Sequence, residues 1–344
     1  MGTDTLPQIE HLIVVMMENH SFDNYFGTLG RGDGFTVDSH GRPTAVNLDA
    51  TGRAIHAFHM PTTCQLPHQP SQSWNASHIQ WNGGRLDGFV RSASGPVAMG
   101  YWTQPDLPFY HGLARTFPLA DRWFASCLSQ TFPNRRFLLA GTAFGWVYDQ
   151  TPSTTDPLPP NGTILDRLNE HGISWKNYYS DLPQVGVFLP ALVANAGRVR
   201  KIDEYFADAA AGTLPAFSLV DPHFADSSEE NPRDIELGEA FAARVINAAM
   251  HGPGWAKTLL VWLYDEHGGY YDHTSILKLV ETKWNLPALT YRDANADDLL
   301  DFIDVASRPA FLTPPTLPAP ANATGVSSCA KSGPGVIPPP DAVG

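Results

Sequence analysis

Residues 12–17 read LIVVMM, and residues 259–264 read LLVWLY. Neither run alternates apolar with polar residues, and such unbroken runs are typical of parallel strands that helices cover on both faces. Each run leads directly into side chains with oxygen ligands: Glu18 and Asn19 after the first, Asp265 and Glu266 after the second. Because ligands bind beyond the carboxyl ends of strands in open parallel sheets, we expect these side chains to converge in one pocket suited to a divalent cation. The alternative is that acidic residues simply lead each strand into solvent. Two such pairs, within loops rich in glycine and histidine, favour the pocket.

Helical and strand patterns alternate along the rest of the chain. This alternation predicts an α/β fold with a mostly parallel sheet. Thr131 and Asn161 are the expected N-caps of the helices that begin with them. The predicted strands cover residues 9–17, 173–179, 216–220 and 259–264, and the predicted helices cover residues 131–140, 161–171, 201–211 and 234–250.

Composition narrows the class of protein. With 344 residues, of which 43% are hydrophobic, the chain can bury a large core in one or two domains. Its net charge of −13 and the lack of a basic stripe argue against a nucleic-acid partner. No run approaches the roughly 18 to 20 apolar residues that span a membrane. The first residues lack the basic and apolar regions of a signal peptide, so the residues alone predict a cytoplasmic protein or one secreted by another route. Three distant cysteines allow at most one disulfide and leave one thiol free.

Two regions lie outside the regular pattern. Residues 27–105 are rich in Gly, Asp and His and show little sustained periodicity. We interpret them as a long substrate-side insertion within a domain that covers residues 1–308. Residues 309–344 form a Pro-rich tail, which we do not expect to fold by itself.

Three segments carry a resemblance to a known family. They are ENHSFDNYFG at residues 18–27, TFPNR at residues 131–135 and DEHGGYYDH at residues 265–273. In this order they resemble the signature segments of the bacterial phosphoesterase family, which comprises phosphatidylcholine-type phospholipases C and related acid phosphatases within the alkaline phosphatase superfamily. The resemblance covers nearly the whole chain. It implies a three-layer α/β/α sandwich.

The resemblance also implies a metal site and a nucleophile. Carried over position by position, it makes Glu18, Asn19, Asp265 and Glu266 ligands of one divalent metal ion, and Thr131 a nucleophile that also touches the metal. The chemistry is consistent, since a threonine hydroxyl needs a metal or a base to ionise. A seat at a helix N-terminus would offer backbone N–H donors to a phosphoryl group. Oxygen ligands suit Mg, Ca or Mn, and mixed hydrolytic sites often hold Zn, so the identity of the metal stays open.

Four histidines and one asparagine are further candidates. His223, after a strand end, and His267, before the double glycine, are the first candidates for catalytic roles, because a histidine can stabilise phosphoryl charge or protonate a leaving alkoxide. His78, in a segment that resembles the substrate-side loop of the family, and His273 are candidates for substrate binding. Asn134 either donates to the phosphoryl group or stabilises the helix entry.

The chain departs from the family pattern in two places. Many relatives carry a His before the Pro that precedes the helix at 234, whereas this chain reads EENPRD at residues 229–234. The proton donor of those relatives is either absent here or replaced by Glu230. Relatives also separate two Asp-His pairs by several tens of residues that include a strand, whereas here Asp272 and His273 lead directly into Thr274. We therefore expect an unpaired sheet edge, with an apolar cavity or patch where that strand would lie.

These features predict a metal-dependent phosphoesterase. The leading interpretation is a phospholipase C that hydrolyses a phosphodiester through a phosphothreonine intermediate, with a phospholipid or another phosphate ester as substrate. The alternatives are an acid phosphatase that acts on phosphomonoesters and an internally deleted, inactive relative that binds metal or phosphate without turnover. A generic interaction domain would not need two acidic strand ends and a matched threonine. Oligomeric state cannot be predicted.

Overall fold

The computed structural model describes residues 3–64, 70–266, 272–327 and 329. Its strands are β1 (His11–Met17), β2 (Val46–Leu48), β3 (Ala54–His56), β4 (Phe58–His59), β5 (Gly100–Tyr101), β6 (Trp175–Tyr179), β7 (Val199–Lys201), β8 (Phe217–Asp221) and β9 (Thr258–Tyr264). Its α-helices are α1 (Phe22–Phe26), α2 (Trp74–Trp81), α3 (Pro108–Thr116), α4 (Thr131–Ala140), α5 (Ile164–Glu170), α6 (Leu189–Ala194), α7 (Ile202–Ala211), α8 (Ile235–His251), α9 (His273–Trp284) and α10 (Tyr291–Ala294).

A five-stranded parallel sheet forms the centre of the fold, with strand order β7-β6-β8-β1-β9. The first and last strands predicted from the sequence, β1 and β9, are neighbours in it. Their register places Met17 opposite Tyr264, and the backbone N–H of Asp265 donates to the Met17 carbonyl at 3.3 Å. The two acidic strand ends therefore lie side by side at one edge of the sheet, as predicted.

Helices cover both faces of the sheet, which confirms the three-layer α/β/α arrangement. Alternate side chains of β1 point to opposite faces, as in any strand. Leu12, Val14 and Met16 pack with side chains of α4, α5 and α9, whereas Ile13 and Val15 pack with side chains of α7 and α8. Because both faces are covered, every residue from Leu12 to Met17 is buried. This double coverage is the physical reason for the unbroken apolar run.

Two predicted helix caps are wrong by one or two residues. Helix α4 is capped by Gln130, so Thr131 is its first helical residue. Helix α5 is capped by Thr163, whose side chain forms a reciprocal capping box with Asp166, and not by Asn161. In both cases the helix was predicted correctly and its capping residue was not.

Residues 27–105 contain short elements that pack against the sandwich. Strands β2 and β3 form a small antiparallel hairpin, and α2 lies within the insertion. A disulfide joins Cys64, in the insertion, to Cys329, near the C-terminus, and leaves Cys127 free. The single disulfide that the cysteine count allowed is therefore present. Within the described part of the Pro-rich tail, Phe311 packs against Phe117.

The edge of the sheet at β9 is open, as the fused Asp-His pair predicted. Among the described residues, β1 is the only strand paired with β9. An apolar cavity of about 440 Å³ lies along it. Within the same residues, no helix combines the length and the apolar character needed to cross a bilayer.

Candidate active site

The side chains predicted to bind metal lie together at the carboxyl ends of β1 and β9. The Thr131 hydroxyl donates to Glu18 Oε2 at 3.2 Å and lies 3.5 Å from Glu266 Oε1. The backbone N–H of Asn19 donates to Asp265 Oδ1 at 3.4 Å. Glu18, Thr131, Asp265 and Glu266 are all buried, so the group forms a pocket rather than a solvent-exposed strand end. Burial excludes the alternative in which the acids lead each strand into water.

Arg135 lies between the carboxylates. Its Nη2 donates to Glu18 Oε1 at 2.7 Å, and its Nε donates to Asp265 Oδ2 at 3.2 Å. On the other side, Nη1 lies 3.8 Å from Asp221 Oδ1 and donates to Gln184 Oε1 at 2.7 Å. Arg135 stands four residues after Thr131, one turn along α4, and so presents its side chain on the same face of the helix. This spacing, visible in the TFPNR segment, was the signal that could have assigned it to the site.

The carboxylates are held in an environment that opposes their charge. Burial raises the pKa of Glu18 to about 8, although Arg135 acts in the opposite direction. Burial, together with the charge of neighbouring carboxylates, raises the pKa of Asp265 and of Glu266 well above their ordinary values. Burial alone would lower the pKa of the Arg135 guanidinium, but the charges of the surrounding carboxylates raise it, so this side chain stays positive. One cation therefore serves a group of several buried acids.

The donor atoms present are of the kinds that a divalent cation prefers. Asn19 Oδ1 is buried without a hydrogen-bond partner, while its Nδ2 donates to Glu230 Oε2, an arrangement that leaves the amide oxygen free to act as a ligand. Carboxylate and amide oxygens are the ligands that hard divalent cations prefer. Among the described residues, three closely spaced Cys, Asp, Glu or His ligand atoms occur at Cys64, Asp234 and Cys329, where the disulfide already joins both sulfurs. That cluster is not a metal site.

Thr131 occupies the first turn of α4 without capping it. The backbone N–H of Phe132 donates to Asp149 Oδ1 at 2.8 Å, so a carboxylate from another segment satisfies the helix N-terminus. The Thr131 hydroxyl is consequently directed to the carboxylates of Glu18 and Glu266. Its predicted role as an N-cap is wrong, and its predicted role as nucleophile stays a prediction that this geometry allows.

Asn134 stabilises the turn that leads into α4. Its Oδ1 accepts from the Cys127 N–H at 2.9 Å, and its Nδ2 lies within 3.2 Å of the carbonyls of Cys127, Ser129 and Gln130. Asn134 is fully buried. Of the two roles considered for it, this geometry favours stabilisation of the helix entry, and the donation to substrate stays untested.

The predicted histidines are dispersed. His223 is 41% exposed, and its Nδ1 lies 3.2 Å from Asp226 and 3.7 Å from Asp181. His78 lies on α2, where its Nδ1 bonds to the Trp74 carbonyl at 2.8 Å and its ring packs at a tilt against the ring of that tryptophan.

His273 is buried, and both ring nitrogens contact protein atoms: Nδ1 accepts from the Ser126 N–H at 3.4 Å, and Nε2 lies 3.0 Å from the Tyr264 carbonyl. His267 lies outside the described residues. None of these predicted histidine roles is tested by the geometry.

Sequence reasoning did not anticipate the buried carboxylate Glu229, which supports the site from behind. The hydroxyls of Tyr25, Tyr110 and Tyr264 all donate to it. Glu229 lies in the connection between β8 and α8, and these bonds hold that connection in place. The next residue, Glu230, accepts from the side-chain amide of Asn19. The signal for this role was the Glu-Glu pair at residues 229–230, of which we interpreted only Glu230, as a replacement for a proton donor.

Comparison with known proteins identifies the family of this chain. The model of the Phosphoesterase family matches residues 9–278. Phospholipase C A of Mycobacterium tuberculosis is 29% identical over 316 residues, which cover 78% of this chain and 60% of that protein. The non-hemolytic phospholipase C of Pseudomonas aeruginosa is 28% identical over 300 residues, with 78% and 43% covered.

Non-specific phospholipase C1 of Arabidopsis thaliana is 29% identical over 294 residues, with 77% and 54% covered. The chain thus spans 60% or less of the length of these relatives. The family match extends from β1, which Glu18 follows, into α9, which begins at His273, and this chain belongs to the phosphoesterase family.

Proposed function

We propose that this chain is a metal-dependent phosphoesterase of the phospholipase C type, which hydrolyses a phosphodiester through a phosphothreonine intermediate. One observation carries the proposal. The Thr131 hydroxyl lies 3.2 Å from a carboxylate at the end of β1 and 3.5 Å from a carboxylate that follows β9. A buried hydroxyl between two such acids, at the start of a ten-residue helix, is suited to attack on a phosphoryl group.

Each residue has a definite part in this mechanism. Glu18, Asn19, Asp265 and Glu266 would hold one divalent ion, which when bound supplies charge neutralisation for the phosphoryl oxygens and lowers the pKa of a hydroxyl. Thr131 Oγ1 attacks phosphorus and its proton passes to a neighbouring carboxylate, while the bond from phosphorus to the leaving ester oxygen breaks and that oxygen takes up a proton to leave as an alcohol. Water then hydrolyses the phosphothreonine and releases the phosphate monoester.

Arg135 is a positioning residue in this scheme. It does not need to touch substrate, because its guanidinium already contacts carboxylates that follow β1 and β9. By fixing Glu18, which accepts from the Thr131 hydroxyl, and Asp265, which precedes Glu266, it sets the geometry of attack. Small displacements of such groups strongly lower the rate of reaction, since catalytic groups must be held within about 0.5 Å of their productive positions.

The relatives named phospholipase C support the diester substrate over a monoester. A specific observation supports the second candidate, an inactive relative: the open edge of β9 lies directly beside Glu266, which also lines the cavity there. The acid phosphatase alternative shares the same carboxylates and differs only in the space for the leaving group.

Turnover assays on two substrates separate these functions. Release of phosphocholine from phosphatidylcholine and of nitrophenol from p-nitrophenyl phosphate should be measured for the wild-type protein, Thr131→Ala and Thr131→Ser. We expect diester turnover in the wild type, part of it in the Ser variant and none in the Ala variant. Thr163→Ala is the matched control, because it removes a helix-capping threonine at a cost of about 0.5 to 2 kcal/mol without touching the site.

The outcomes discriminate. Wild-type turnover in Thr131→Ala would remove Thr131 from the mechanism. Preference for the monoester would establish the phosphatase alternative. Stoichiometric metal in elemental analysis, with no turnover of either substrate, would establish the inactive relative.

We also infer that the protein functions in an oxidising compartment, of the two locations that the sequence left open. The Cys64–Cys329 disulfide supports this, since disulfides persist mainly in exported proteins. A phospholipid substrate would then be met at a membrane surface. Detection of the protein in the culture medium of its source would test this location.

A further inference from the structure

Among the described residues, no strand pairs with the outer edge of β9. In a parallel ladder alternate residues direct their N–H and C=O groups to the same neighbour. The bond from Asp265 N–H to Met17 shows that the odd-numbered residues of β9 face β1. The even-numbered residues, including Leu260 and Trp262, therefore direct these groups away from the sheet. The carbonyl of Tyr264, also even-numbered, is contacted by His273 Nε2 at 3.0 Å, which closes the ladder at that end.

The cavity of about 440 Å³ runs along this edge and extends over both faces of the strand. We call it the β9 groove. On one face it is lined by Phe117 and Trp255, and on the other by Leu279 and Phe302. The indole N–H of Trp262, which also lines the groove, is buried without a hydrogen-bond partner. The volume of the β9 groove lies in the range of about 300 to 1,000 Å³ that is usual for ligand sites.

The shape of the groove excludes a second copy of the chain as the occupant. Side chains from both layers project beyond β9, so the strand lies at the bottom of a recess. Adjacent strands in a sheet must approach to about 4.8 Å. Two strands that are both recessed cannot approach so closely.

The polar groups of the β9 groove exclude a lipid chain as its occupant. An acyl chain would fill the apolar walls but would leave the outward N–H and C=O groups of Leu260 and Trp262, and the Trp262 indole, without partners. Buried polar groups are normally satisfied, because their desolvation is unfavourable. An extended peptide provides alternating donors and acceptors along its backbone and apolar side chains to both walls.

We propose that the β9 groove binds an extended, uncharged, apolar peptide segment as an additional strand beside β9. Strand addition to an exposed sheet edge is an established mode of peptide recognition, in which backbone bonds give affinity and alternate side chains occupy pockets. The lining contains few polar groups, so the segment should carry no charge where it passes through the groove. Glu266 lines one end, where the occupant would approach the carboxylate cluster.

The probe is a fluorescein-labelled peptide with the sequence HLIVVMM of residues 11–17, which already pairs with the other side of β9. Two lysines before its first residue keep it soluble. Two further peptides carry N-methyl groups on alternate residues, one set on the odd positions and the other on the even positions. Binding to the full chain is measured by fluorescence polarisation, and undecanoic acid is added as a competitor.

We expect saturable binding of the unmodified peptide. One methylated peptide should bind at least about tenfold more weakly, because two or three ladder bonds are lost, and the other should bind nearly as well. Equal binding of both methylated peptides, or displacement of all peptides by undecanoic acid, would overturn the proposal and assign the groove to a lipid chain. Absence of binding by the unmodified peptide would also overturn it.

A pair of protein variants tests the location. Ile303→Glu places a charge in the wall of the groove, whereas Leu300→Glu alters an exposed residue nearby. We expect the first to weaken peptide binding at least tenfold and the second to leave it unchanged. Circular dichroism of both variants verifies that they fold, and equal binding by both would refute the location.

Discussion

Arg135→Met is the sharpest test of how the buried acids are held. The guanidinium is 1% exposed and contacts Glu18 at 2.7 Å, Asp265 at 3.2 Å and Asp221 at 3.8 Å. Methionine preserves much of the aliphatic volume and removes the charge. The variant therefore isolates the electrostatic contribution of Arg135, with little change in packing.

The expected loss follows from the three carboxylates that remain. Removing one partner of a buried ion pair typically costs about 3 to 5 kcal/mol. We expect a loss in this range at pH 8 for metal-free protein, because Asp221 and Asp265 would have no cation. At pH 5 the loss should be smaller. Burial raises the pKa of Glu18 to about 8 even with Arg135 present. Without Arg135 the pKa values of the folded carboxyls should lie still further above those of the unfolded chain. The folded protein then binds more protons than the unfolded chain, so its stability falls as pH rises.

Urea unfolding at pH 5 and pH 8, followed by circular dichroism in the presence of EDTA, measures both quantities. Arg200→Met is the matched control, since the side chain of Arg200, in β7, is 42% exposed and pairs with Glu204, in the first turn of α7. Such exposed pairs contribute roughly 0 to 1 kcal/mol. If Arg135→Met matched Arg200→Met at pH 8, the buried acids would not depend on this guanidinium and our account of the site would fail.

Two further predictions concern stability. Burial raises the pKa of Glu229 to about 8, above its unfolded value of 4.5; stability should fall between pH 5 and pH 8 by up to about 1.4 kcal/mol per pH unit. Glu229→Gln should flatten that slope in urea unfolding curves, and an unchanged slope would contradict the assignment. Reduction of the Cys64–Cys329 disulfide should lower the free energy of unfolding by about 2 to 5 kcal/mol. Cys127→Ser should leave the effect of dithiothreitol on the melting temperature intact, and a loss of that effect would show that the pairing is different.

The sheet and the convergence of its strand ends could be predicted from the sequence for a simple reason. A strand that is covered on both faces has to be apolar throughout, and few other structures require such a run. Parallel neighbours then end at the same edge, which brings Glu18 and Asp265 together without any knowledge of the connections between them. The open edge at β9 was also predictable, because Asp272-His273 leads directly into a helix.

The role of Arg135 was not predicted, although the residue lies inside a quoted motif. Its partners lie at the carboxyl ends of three different strands. No local sequence pattern shows that these residues are close together in the fold. The prediction of Thr131 as the N-cap of α4 was wrong for a similar reason. Asp149, eighteen residues after Thr131 in the chain, satisfies the helix N-terminus and leaves the threonine side chain for the carboxylates. The pairing of Cys64 with Cys329 spans 265 residues and is likewise invisible to spacing.

Arg135 and the open edge of β9 are parts of one arrangement. Asp221, Glu18 and Asp265 end or follow β8, β1 and β9, which are consecutive strands in the sheet. The guanidinium therefore joins the carboxyl ends of three neighbouring strands, of which β9 is bonded on one side only among the described residues. An edge strand opens more readily than a central one. The ion pair of Arg135 with Asp265 offsets this weakness at the point where the site needs β9 to be ordered. The same side chain thus fixes the charges around Thr131 and holds the strand whose other edge remains available to a partner.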